Sequence, residues 1–410
     1  MKNEREKNGK TILLYETDGL LTGFDATTVE TGTCTDTGRE YVVLDRTAFF
    51  PEGGGQKADT GILETKDGIK AAVTDVRTVG GVVRHYVDRH IDAGVCLHGK
   101  IDEMQRFSRM QNHGAEHLIS GLIHKRFGYD NVGFHMSEGE LVIDINGPIT
   151  PEEIRDIEEE ANRVVFENVP ITVSFPTREE AAALQYRSKL DIEEGVRLVT
   201  IEGYDVCACC APHLDCTGRF GVIKILDMVP HRQGVRITMI AGMDAYADYA
   251  MLHARNSKIM ELLSAGRNKT ASYVEEALSR YAALKEEMSM LKKTMAENET
   301  RQAIDRIKSR AVAGGHPELI FSGLTDPVGL RNLVNECTKV CDGPVCAFMK
   351  DGGNFRYIFA VRDEIAQSFD LRKLVKEFNE ECMGRGGGSN IMAQGSCAAQ
   401  RARIEEFFAK

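Results

Sequence analysis

The sequence predicts an α+β protein of several domains, and three observations lead to this prediction. The chain has 410 residues, whereas a single domain usually takes about 100–200. Short β-branched runs between glycine-rich turns fill the N-terminal quarter of the chain. Helical periodicity begins near Arg106, and a longer helical stretch follows Asp244. We therefore expect four consecutive regions, which are 1–105, 106–245, 246–312 and 313–410.

Residues 1–105 are expected to form a small β-barrel-like domain. Residues 41–44 and 81–87 are rich in valine and are bounded by turn residues, as is typical of short strands. The Pro-Glu-Gly-Gly-Gly-Gln sequence at 51–56 interrupts this pattern and indicates a loop whose backbone angles require glycine. The region is therefore predicted to be a barrel or a sandwich of short strands.

Residues 106–245 alternate between helical and strand patterns, which indicates an α/β domain. Apolar residues recur at helical spacing from Arg106 until Gly128, where the helix is expected to stop. The Thr-Pro-Glu-Glu sequence that starts at Thr150 favours the capped start of a second helix. The expected strands of this domain are 140–145, 171–175, 222–226 and 235–240.

The stretch 246–312 has the periodicity of long helices. Its apolar residues alternate steps of three and four, which describes a coiled-coil seam of about three heptads. This seam consists of Val274, Ala277, Tyr281, Leu284, Met288, Leu291 and Met295. Residues 264–268 favour a turn, so the seam is closed by an antiparallel hairpin within the chain or by a homodimer. A surface helix of the last domain is the alternative.

Residues 313–410 are expected to form a C-terminal α/β domain that contains the glycine-rich segment 384–395. This segment lacks the Gly-Lys-Ser/Thr ending of a nucleotide-binding loop. Its backbone amides at Gly386, Gly387 and Gly388 would still suit a sugar-phosphate backbone. Arg401 and Arg403, on a terminal helix, would add positive charge to such a nucleic-acid contact.

Composition argues against a membrane or exported protein. No apolar run approaches the length of a membrane span, and the short apolar segment 11–15 has no cleavage signature. The 11 cysteines lack the spacing of a disulfide framework, so we expect reduced thiols and a cytoplasmic location. The formal net charge of −11 argues against an indiscriminate nucleic-acid binder. The acidic excess lies before residue 246, so a polyanion would more naturally approach the C-terminal half.

Two short motifs predict a metal site. His113 and His117 lie one turn apart on one face of the expected helix, and Cys209 and His213 repeat that spacing far along the chain. Three imidazoles and one thiolate form a four-ligand set that zinc prefers, so we expect one Zn²⁺ per chain. The neighbouring cysteines leave open a structural cluster of thiolates alone, in which His213 takes no part. These cysteines are Cys207, Cys210 and Cys216.

The segment 45–61 resembles a known signature. It reads Asp-Arg-Thr-Ala-Phe-Phe-Pro-Glu-Gly-Gly-Gly-Gln-Lys-Ala-Asp-Thr-Gly. This is similar to the Thr-x-Phe-Tyr-Pro-Glu-x-Gly-Gly-Gln-x-x-Asp-x-Gly motif in the editing half of alanyl-tRNA synthetases and in the free-standing AlaX proteins. The histidine and cysteine motifs follow in the order of that family's zinc ligands. The glycine motif 386–395 resembles that of the synthetase C-terminal domain, which also accompanies DHH phosphoesterases. The resemblance covers essentially the whole chain and matches the long, three-domain AlaX type.

The resemblance implies the fold and the activity of a trans-editing protein. Residues 106–245 would form an editing domain of the threonyl/alanyl-tRNA synthetase additional-domain type, and 313–410 would assist tRNA binding or homodimer formation. The implied reaction is the ATP-independent hydrolysis of the ester on tRNA(Ala) mischarged with serine, with glycine as the second substrate. The region before the histidine helix is mostly of β type, so we expect no aminoacylation core and no amino-acid activation.

Three polar side chains are candidates for catalysis. Editing domains of synthetases commonly carry Thr before the second histidine, whereas this chain has Glu116, so the discrimination attributed to that threonine does not carry over. Glu116 is a candidate general base for a metal-held water, with a solvated helix glutamate as the alternative. Thr47 and Gln56 are candidates to hydrogen-bond the seryl hydroxyl. Zinc would activate water, polarise the carbonyl or, with four ligands bound, grip the substrate's amino group or ribose hydroxyl.

Two other classes of protein are compatible with parts of this pattern. His113-x-x-Glu116-His117 also reads as the inverted motif of zinc peptidases, which requires an acidic third ligand downstream. A tRNA-binding or dimerisation module with a purely structural zinc ion is the second alternative. It would retain tRNA without hydrolysing the ester.

Overall fold

The computed structural model describes residues 11–137, 139–188, 195–309 and 316–409. The chain divides into two units, Met1–Lys258 and Ile259–Lys410. All four predicted metal ligands and the glycine-rich loop at 51–56 belong to the first unit, so the candidate site is built within one unit. The expected domain boundary between 312 and 313 lies outside the described residues.

A closed six-stranded barrel forms the N-terminal part of the first unit, in agreement with the predicted barrel. The strands of this part are β1 (Ile12–Leu13), β2 (Gly23–Thr33), β3 (Glu40–Leu44), β4 (Arg46–Thr47), β5 (Gly61–Thr65), β6 (Lys70–Val79), β7 (Val82–Val87) and β8 (Cys96–Ile101). The barrel order is β2-β3-β7-β6-β5-β8, and its paired strands are antiparallel. Outside the barrel, β1 pairs with β4 in parallel, and a 3-10 helix covers Leu14–Glu16.

Side chains from alternating strand positions fill the barrel interior. On β6, Ala71 and Val73 are buried, and a register shift between Val73 and Asp75 then places Val76 inward. A β-bulge of this kind adds one residue and increases the local bend, which helps a small barrel to close. The interior packs around Phe49, which has no exposed surface.

The α/β part of the first unit follows the barrel directly. Its elements are α1 (Glu103–Phe127), β9 (Asn131–Ser137), β10 (Glu140–Ile145), α2 (Pro151–Glu167), β11 (Ile171–Ser174), α3 (Arg178–Ala183), β12 (Leu198–Ile201), β13 (Asp205–Ala208), a 3-10 helix (Thr217–Phe220), β14 (Ile223–His231), β15 (Gly234–Ala241) and α4 (Gly242–Leu263). One sheet has the order β14-β15-β10-β9, and the other has the order β11-β12-β13. Helices α1 and α2 share one apolar core with both sheets.

The limits of α1 follow from the residues at its two ends. Asp102 caps the N-terminus by accepting a hydrogen bond from the backbone of Gln105, and Gly128 ends the helix in the left-handed conformation at φ 74°. The helix therefore starts before Arg106, where the apolar pattern first indicated it. Every residue from 110 to 123 is buried. This places both predicted histidine ligands inside the domain.

A buried ion pair joins the barrel to α1. Arg106 is fully buried, and its guanidinium group donates hydrogen bonds to the carboxylate of Asp59 and to the backbone oxygens of Gly19 (2.9 Å) and Ala48 (2.6 Å). The Asp59 carboxylate also accepts from the backbone N–H of Phe50 at 2.7 Å. Removing one partner of such a pair leaves a buried charge, which usually costs about 3–5 kcal/mol. The pair therefore holds the glycine-rich loop against the histidine helix.

The second unit contains a five-stranded sheet covered on both faces. Its elements are α5 (Thr270–Ser309), β16 (Glu318–Ser322), α6 (Pro327–Thr338), β17 (Val345–Asp351), β18 (Asn354–Ala360), a 3-10 helix (Ile365–Gln367), α7 (Leu371–Glu381), β19 (Gly384–Gly388), β20 (Met392–Cys397) and α8 (Arg401–Phe408). The sheet order is β16-β17-β18-β20-β19. On β17, Val345 and Ala347 pack in one core with α5 and α6, whereas Cys346 and Phe348 pack in the other with α7 and α8. This two-sided burial explains the unbroken apolar run of β17.

The predicted long helical stretch is present. Packing of its apolar seam against another helix of the chain or against a second copy of the protein stays a prediction. Helices α4 and α5 are separated between Leu263 and Thr270, around the turn predicted at 264–268. The buried residues of α5 are Ala303 and Ile307, near its C-terminus. The seam residue Leu284 is 63% exposed. Among the described residues, no helix is long and apolar enough to cross a membrane.

Candidate metal centre

Four side chains from two segments of the chain, helix α1 and residues 209–213, converge on one point of the first unit. The Sγ atom of Cys209 lies 3.2 Å from Nε2 of His213 and 3.5 Å from Nε2 of His113. His117 completes the group, and the four ligand atoms all lie within 4.8 Å of one another. Zn–S and Zn–N bonds of usual length place tetrahedral ligand atoms about 3.4–3.6 Å apart. The spacing and the donor set therefore fit one tetrahedral metal ion.

The electrostatics of the cluster favour a thiolate at Cys209 and a neutral imidazole at His213. Burial raises the pKa of the Cys209 thiol, but the His113 and His213 imidazoles lower it more, so that this pKa lies well below its usual range. Burial lowers the pKa of His213 to about 3, which keeps its imidazole neutral. Burial lowers the pKa of His117, but Cys207, Asp205 and Cys209 raise it more, so that positive charge is favoured here and a bound metal ion would replace the proton on Nε2. A thiolate beside neutral imidazoles is the form of these groups that binds metal.

Each histidine of α1 has a hydrogen-bond partner on its other ring nitrogen. Oε1 of Gln56 lies 2.7 Å from Nδ1 of His113, and Oδ2 of Asp205 lies 3.1 Å from Nδ1 of His117. Both acceptors favour the tautomer with hydrogen on Nδ1, which leaves Nε2 free to bind the metal. The structure thus brings the predicted residue Gln56 to the cluster through His113.

The side-chain amide N–H group of Gln56 is a hydrogen-bond donor without a partner among the described residues. Its side chain is fully buried, and its Nε2 atom has no hydrogen-bond partner within the described parts of the chain. A buried amide N–H without a partner costs about 1–3 kcal/mol, and such an atom in a native structure calls for an explanation. This donor is therefore a candidate contact for a group bound near the cluster.

Thr47 occupies a different place from the one expected of a substrate contact. It is fully buried in the barrel, where its Oγ1 atom lies 2.8 Å from Nε2 of His85 and accepts a hydrogen bond from the backbone N–H of Phe49 at 3.1 Å. Nδ1 of His85 in turn lies 3.2 Å from the backbone oxygen of Val42. The structure therefore does not bring Thr47 together with the four metal ligands. The strand alternation that turns its side chain inward could not be read from the signature alone.

Glu116 is buried, so the alternative of a solvated helix glutamate is wrong. Only 4% of its surface is exposed. Its Oε1 atom accepts hydrogen bonds from the hydroxyl of Ser120 at 2.7 Å and from the side-chain amide of Asn131. These bonds fix the carboxylate one helical turn before Ser120, on the strand β9 side of α1. Its role as a general base is not tested by this arrangement.

The thiols next to the motif do not replace His213 in the cluster. Among the described residues, the four-ligand group contains Cys209 as its sole cysteine, and Cys207 belongs to a second group with His117 and Asp205. Cys210 is exposed. A cluster of thiolates alone is therefore not formed.

Arg197 holds the segment that carries Cys209, and sequence reasoning missed it. Its guanidinium group donates to the backbone oxygens of Cys209 (2.7 Å), Ala211 (2.9 Å) and Glu16 (2.9 Å). The side chain is mostly buried, and burial lowers its pKa. Arg197 thus ties the cysteine segment to the N-terminal segment. No local motif marks this role, because its three acceptors are backbone atoms distant in sequence.

A cleft lies around the N-terminal half of α1, and none of the four candidate ligands is among its lining residues. Its volume is about 630 Å³. Its walls include Lys57, next to Gln56, and Asn112, next to His113, together with Met136, whose backbone N–H bonds to the loop oxygen of Gly55 at 3.2 Å. The remaining lining residues are Glu103, Met104, Gln105, Phe107, Ser108, Arg109, Ser137, Gly139, Met243 and Asp244. The cleft is large enough for a nucleoside and has both apolar and cationic walls.

The predicted nucleic-acid residues lie in the second unit, but their surroundings differ from expectation. Gly386, Gly387 and Gly388 belong to the edge strand β19, which borders a groove of about 380 Å³. Arg401 bonds to Glu405 and lies over the ring of Phe321, and Arg403 pairs with Glu381 and Glu406. Both predicted guanidinium groups are therefore engaged within the protein. The cations that line the glycine groove are Arg372 and Lys376 on α7.

Three family models match separate parts of the chain. Residues 4–105 match the model described as tRNA synthetases class II (A). Residues 196–240, which contain Cys209 and His213, match the threonyl and alanyl tRNA synthetase second additional domain. Residues 317–410 match the DHHA1 domain. The chain is thus built of domains related to those of alanyl-tRNA synthetases.

Curated proteins similar over most of the chain are alanine–tRNA ligases. That of Ignicoccus hospitalis is 32% identical over 404 residues, which cover 96% of this chain and 42% of the ligase. That of Thermococcus kodakarensis is 31% identical over 402 residues, with 94% and 41% covered. The chain is therefore homologous to alanine–tRNA ligases but spans less than half of their length. Among solved structures, the C-Ala domain from Aquifex aeolicus alanyl-tRNA synthetase matches with a TM-score of 0.20 and 20% identity, over 23% of this chain and 90% of that chain.

Proposed function

We propose that this protein is a zinc-dependent aminoacyl-tRNA deacylase of the long AlaX type. It would hydrolyse the ester that joins a wrong amino acid, chiefly serine and secondly glycine, to tRNA(Ala). It would act in the cytoplasm, without ATP, on tRNA that the synthetase has released. The observation that carries this proposal is the buried cluster of three imidazoles and one thiolate beside the unpaired amide donor of Gln56.

The residues present can supply the groups that ester hydrolysis needs. When bound and with one of its four ligands released, zinc would lower the pKa of a water molecule towards about 7 or polarise the ester carbonyl. The Nε2 donor of Gln56 would bind the carbonyl oxygen or the seryl hydroxyl, since it lies in the same side chain that contacts His113. Donors fixed in advance stabilise the charge that develops on that oxygen. Glu116, oriented by Ser120 and Asn131, remains our proposed proton acceptor.

The cleft around the N-terminal half of α1 is the proposed place for the 3′ end of the tRNA. Met136 and Phe107 offer apolar surface for a base, and the ammonium group of Lys57 offers positive charge for a phosphate. In this proposal the terminal nucleotide lies in the cleft and its ester extends along α1, from the lining residue Asn112 towards His113. We therefore expect the cleft to determine KM for the aminoacyl end.

The second unit is the proposed contact for the body of the tRNA. The groove between β19 and α7 combines glycine backbone with Arg372 and Lys376, which suits phosphate contacts rather than base readout. The exposed seam of α5 is the proposed surface for a homodimer, because Leu284, Met288 and Leu291 are each more than half exposed.

The decisive experiment is a panel of tRNA(Ala) charged with serine, glycine or alanine. We expect the full-length protein to deacylate the seryl ester fastest and the alanyl ester slowest, without ATP. Stripping the metal with a chelator should abolish turnover, and added Zn²⁺ should restore it. Undiminished turnover by metal-free protein would contradict the proposal. An alanine-dependent ATP–pyrophosphate exchange assay should be negative.

A structural zinc ion in a tRNA-binding module is the second candidate function. The observation in its favour is the four-ligand set, because structural zinc sites have four protein ligands whereas catalytic sites usually have three and an open position. The same panel of charged tRNAs distinguishes the two candidate functions, because the binding module predicts tRNA binding without ester hydrolysis. The zinc peptidase alternative requires an acidic third ligand, whereas His117 and His113 here join Cys209 and His213.

A further inference from the structure

We propose that Asp205, held in place by Arg187, is a positioning residue that presents His117 to the metal and sets the affinity of the cluster for zinc. This inference rests on the proposed zinc site but not on the proposed substrate. Neither residue belongs to the predicted ligand set or to the signature at 45–61. The argument for their role uses the geometry around the second histidine of α1.

The three side chains form one buried chain of hydrogen bonds. His117 donates from Nδ1 to Oδ2 of Asp205 at 3.1 Å. Arg187 donates from Nε to Oδ1 of Asp205 at 2.7 Å and from Nη2 to Oδ2 at 2.9 Å. The side chains of His117 and Asp205 are 3% and 2% exposed, and that of Arg187 is 12% exposed. Both carboxylate oxygens are therefore occupied away from solvent.

This arrangement determines which nitrogen of His117 can bind metal. A neutral imidazole carries one N–H group, and the Asp205 acceptor holds it at Nδ1, so the lone pair is on Nε2. A carboxylate in this position also makes the imidazole a stronger donor to a cation. The bidentate guanidinium group fixes the carboxylate plane, which a single hydrogen bond would leave free to rotate. Asp205 thus acts on the metal through His117.

The backbone is built to bring Asp205 to α1. Asp205 begins strand β13, which packs across the helix at Gly121, where an added Cβ would lie 2.8 Å from Cβ of Asp205. Any side chain at position 121 would push the strand away from the helix. On the other side, the backbone of Arg187 is bonded to Val206 (2.8 Å) and Ala208 (2.9 Å) of the same strand. Two independent backbone contacts therefore fix the pair.

The two histidines of α1 have different kinds of partner. His113 is bonded to the neutral amide of Gln56, which also has a donor left for another group. His117 is bonded to a carboxylate whose two oxygens are both engaged. We therefore expect substitution at Asp205 to act on metal affinity, and substitution at Gln56 to act on turnover by the metal-loaded protein.

The test measures metal binding directly in the full chain. Asp205→Asn should lower Zn²⁺ affinity by about 10–100-fold in competition with a chromophoric chelator. Co²⁺ loaded into the same variant should have an altered visible absorption spectrum, because the position of one imidazole changes. Arg187→Gln, which keeps the His117–Asp205 bond, should lower affinity by a smaller factor. Saturating Zn²⁺ should restore most of the deacylation rate.

A matched control is available in the same unit. Arg236 and Asp144 form a bidentate pair with the same donor distances, 2.7 and 2.9 Å, between strands β15 and β10. Asp144→Asn removes this pair and should leave Zn²⁺ affinity unchanged. Wild-type affinity in Asp205→Asn, or an equal loss in Asp144→Asn, would overturn the inference. If Asp205→Asn fails to fold, unchanged affinity in Arg187→Gln has the same meaning.

The failure of this inference is distinguishable from that of the proposed function. Zinc affinity is measured without tRNA, so a wild-type protein that binds zinc but hydrolyses no ester would refute only the deacylase. Such a protein would still show the expected order of affinities, with wild type above Arg187→Gln and Arg187→Gln above Asp205→Asn.

Discussion

Gln56 and His113 share a buried hydrogen bond of 2.7 Å that connects the glycine-rich loop of the barrel to the face of α1 that carries the candidate metal ligands. The barrel thus contributes to the cluster although none of its residues is a metal ligand. This contact explains physically why the glycine-rich loop and the histidine motif occur together in the chain. It also allows the roles of the individual side chains to be separated by substitution.

Replacing a ligand should abolish both zinc binding and deacylation. Cys209→Ala removes the thiolate whose low pKa follows from the adjacent imidazoles. Loss of a ligand's hydrogen-bond partner typically costs about 10–100-fold, and we expect loss of the ligand itself to reduce seryl-tRNA(Ala) hydrolysis by more than that. The matched control is Cys210→Ala, which removes the exposed neighbouring thiol. Zinc content and initial rates of both variants are the measurement. An equal loss of zinc and of activity in Cys210→Ala would indicate that the substitutions disturb the loop and that the Cys209 thiolate is not specifically required.

Gln56 and Thr47 should respond differently although both belong to the same signature. Gln56→Ala in zinc-saturated protein should lower kcat by about 10²–10³-fold if its free amide donor stabilises the reacting oxygen. Thr47→Val loses the hydrogen bond to His85 in the barrel and should lower the free energy of unfolding by about 1–3 kcal/mol. Urea unfolding and single-turnover rates measure the two effects. A large fall of kcat in a Thr47→Val variant of unchanged stability would show that Thr47 contributes to the reaction.

A substitution at Lys57 tests whether the cleft binds the 3′ end of the tRNA. Lys57→Met keeps most of the side-chain volume but removes the charge, so KM for a seryl minihelix should rise about 3–10-fold while kcat changes little, as expected for the loss of one exposed phosphate contact. Raising the salt concentration should diminish the difference between the variant and the wild type. Lys66→Met, in the turn after β5, is the control. A lower kcat at unchanged KM would contradict binding of the 3′ end in this cleft.

His85 should make the barrel sensitive to acid. Burial lowers its pKa to about 4, whereas histidine in an unfolded chain titrates near about 6.5. The unfolded state therefore binds a proton first, and the stability that is complete above pH 6.5 is lost as the pH falls towards 4. The loss at pH 5 should be about 2 kcal/mol. His85→Gln should reduce this loss, which urea unfolding of both proteins at pH 7.5 and pH 5 will measure.

The glycine groove should bind the tRNA body through α7. Reversing both charges with Arg372→Glu and Lys376→Glu should weaken binding of full-length tRNA(Ala) about tenfold at moderate salt. The slope of log affinity against log salt concentration should fall by the amount expected for the loss of about two phosphate contacts. Arg401→Ala and Arg403→Ala should have smaller effects, because both groups are paired with glutamates. A minihelix without the body of the tRNA serves as the control ligand. Equal weakening for both ligands would contradict the proposed contact.

The sequence predicted those features that local spacing determines. The His-x3-His spacing places both histidines on one side of α1, and the cap at Thr150 and the stop at Gly128 are local as well. Cys209 and His213 lie in an irregular segment, so their spacing alone does not place them on one side. The contribution of Arg187 depends on the register of β13 against a segment about 20 residues upstream in sequence. No spacing rule encodes such a contact. The contact of Thr47 with His85 could not be predicted for a related reason, since the direction of a side chain on a two-residue strand depends on the pairing of that strand with β1.

Two glycines within α1 have a consequence for how the protein folds. Gly114 and Gly121 leave room for Phe220 and Asp205, but each lowers the intrinsic stability of a helix by about 0.5–1 kcal/mol relative to alanine. The isolated segment is therefore a weak helix that gains its order from partners made much later during synthesis. A nascent chain that ends before residue 205 should hold its histidines in a fluctuating segment. Metal capture is then a late event, coupled to the docking of the strand and the cysteine loop that complete the domain.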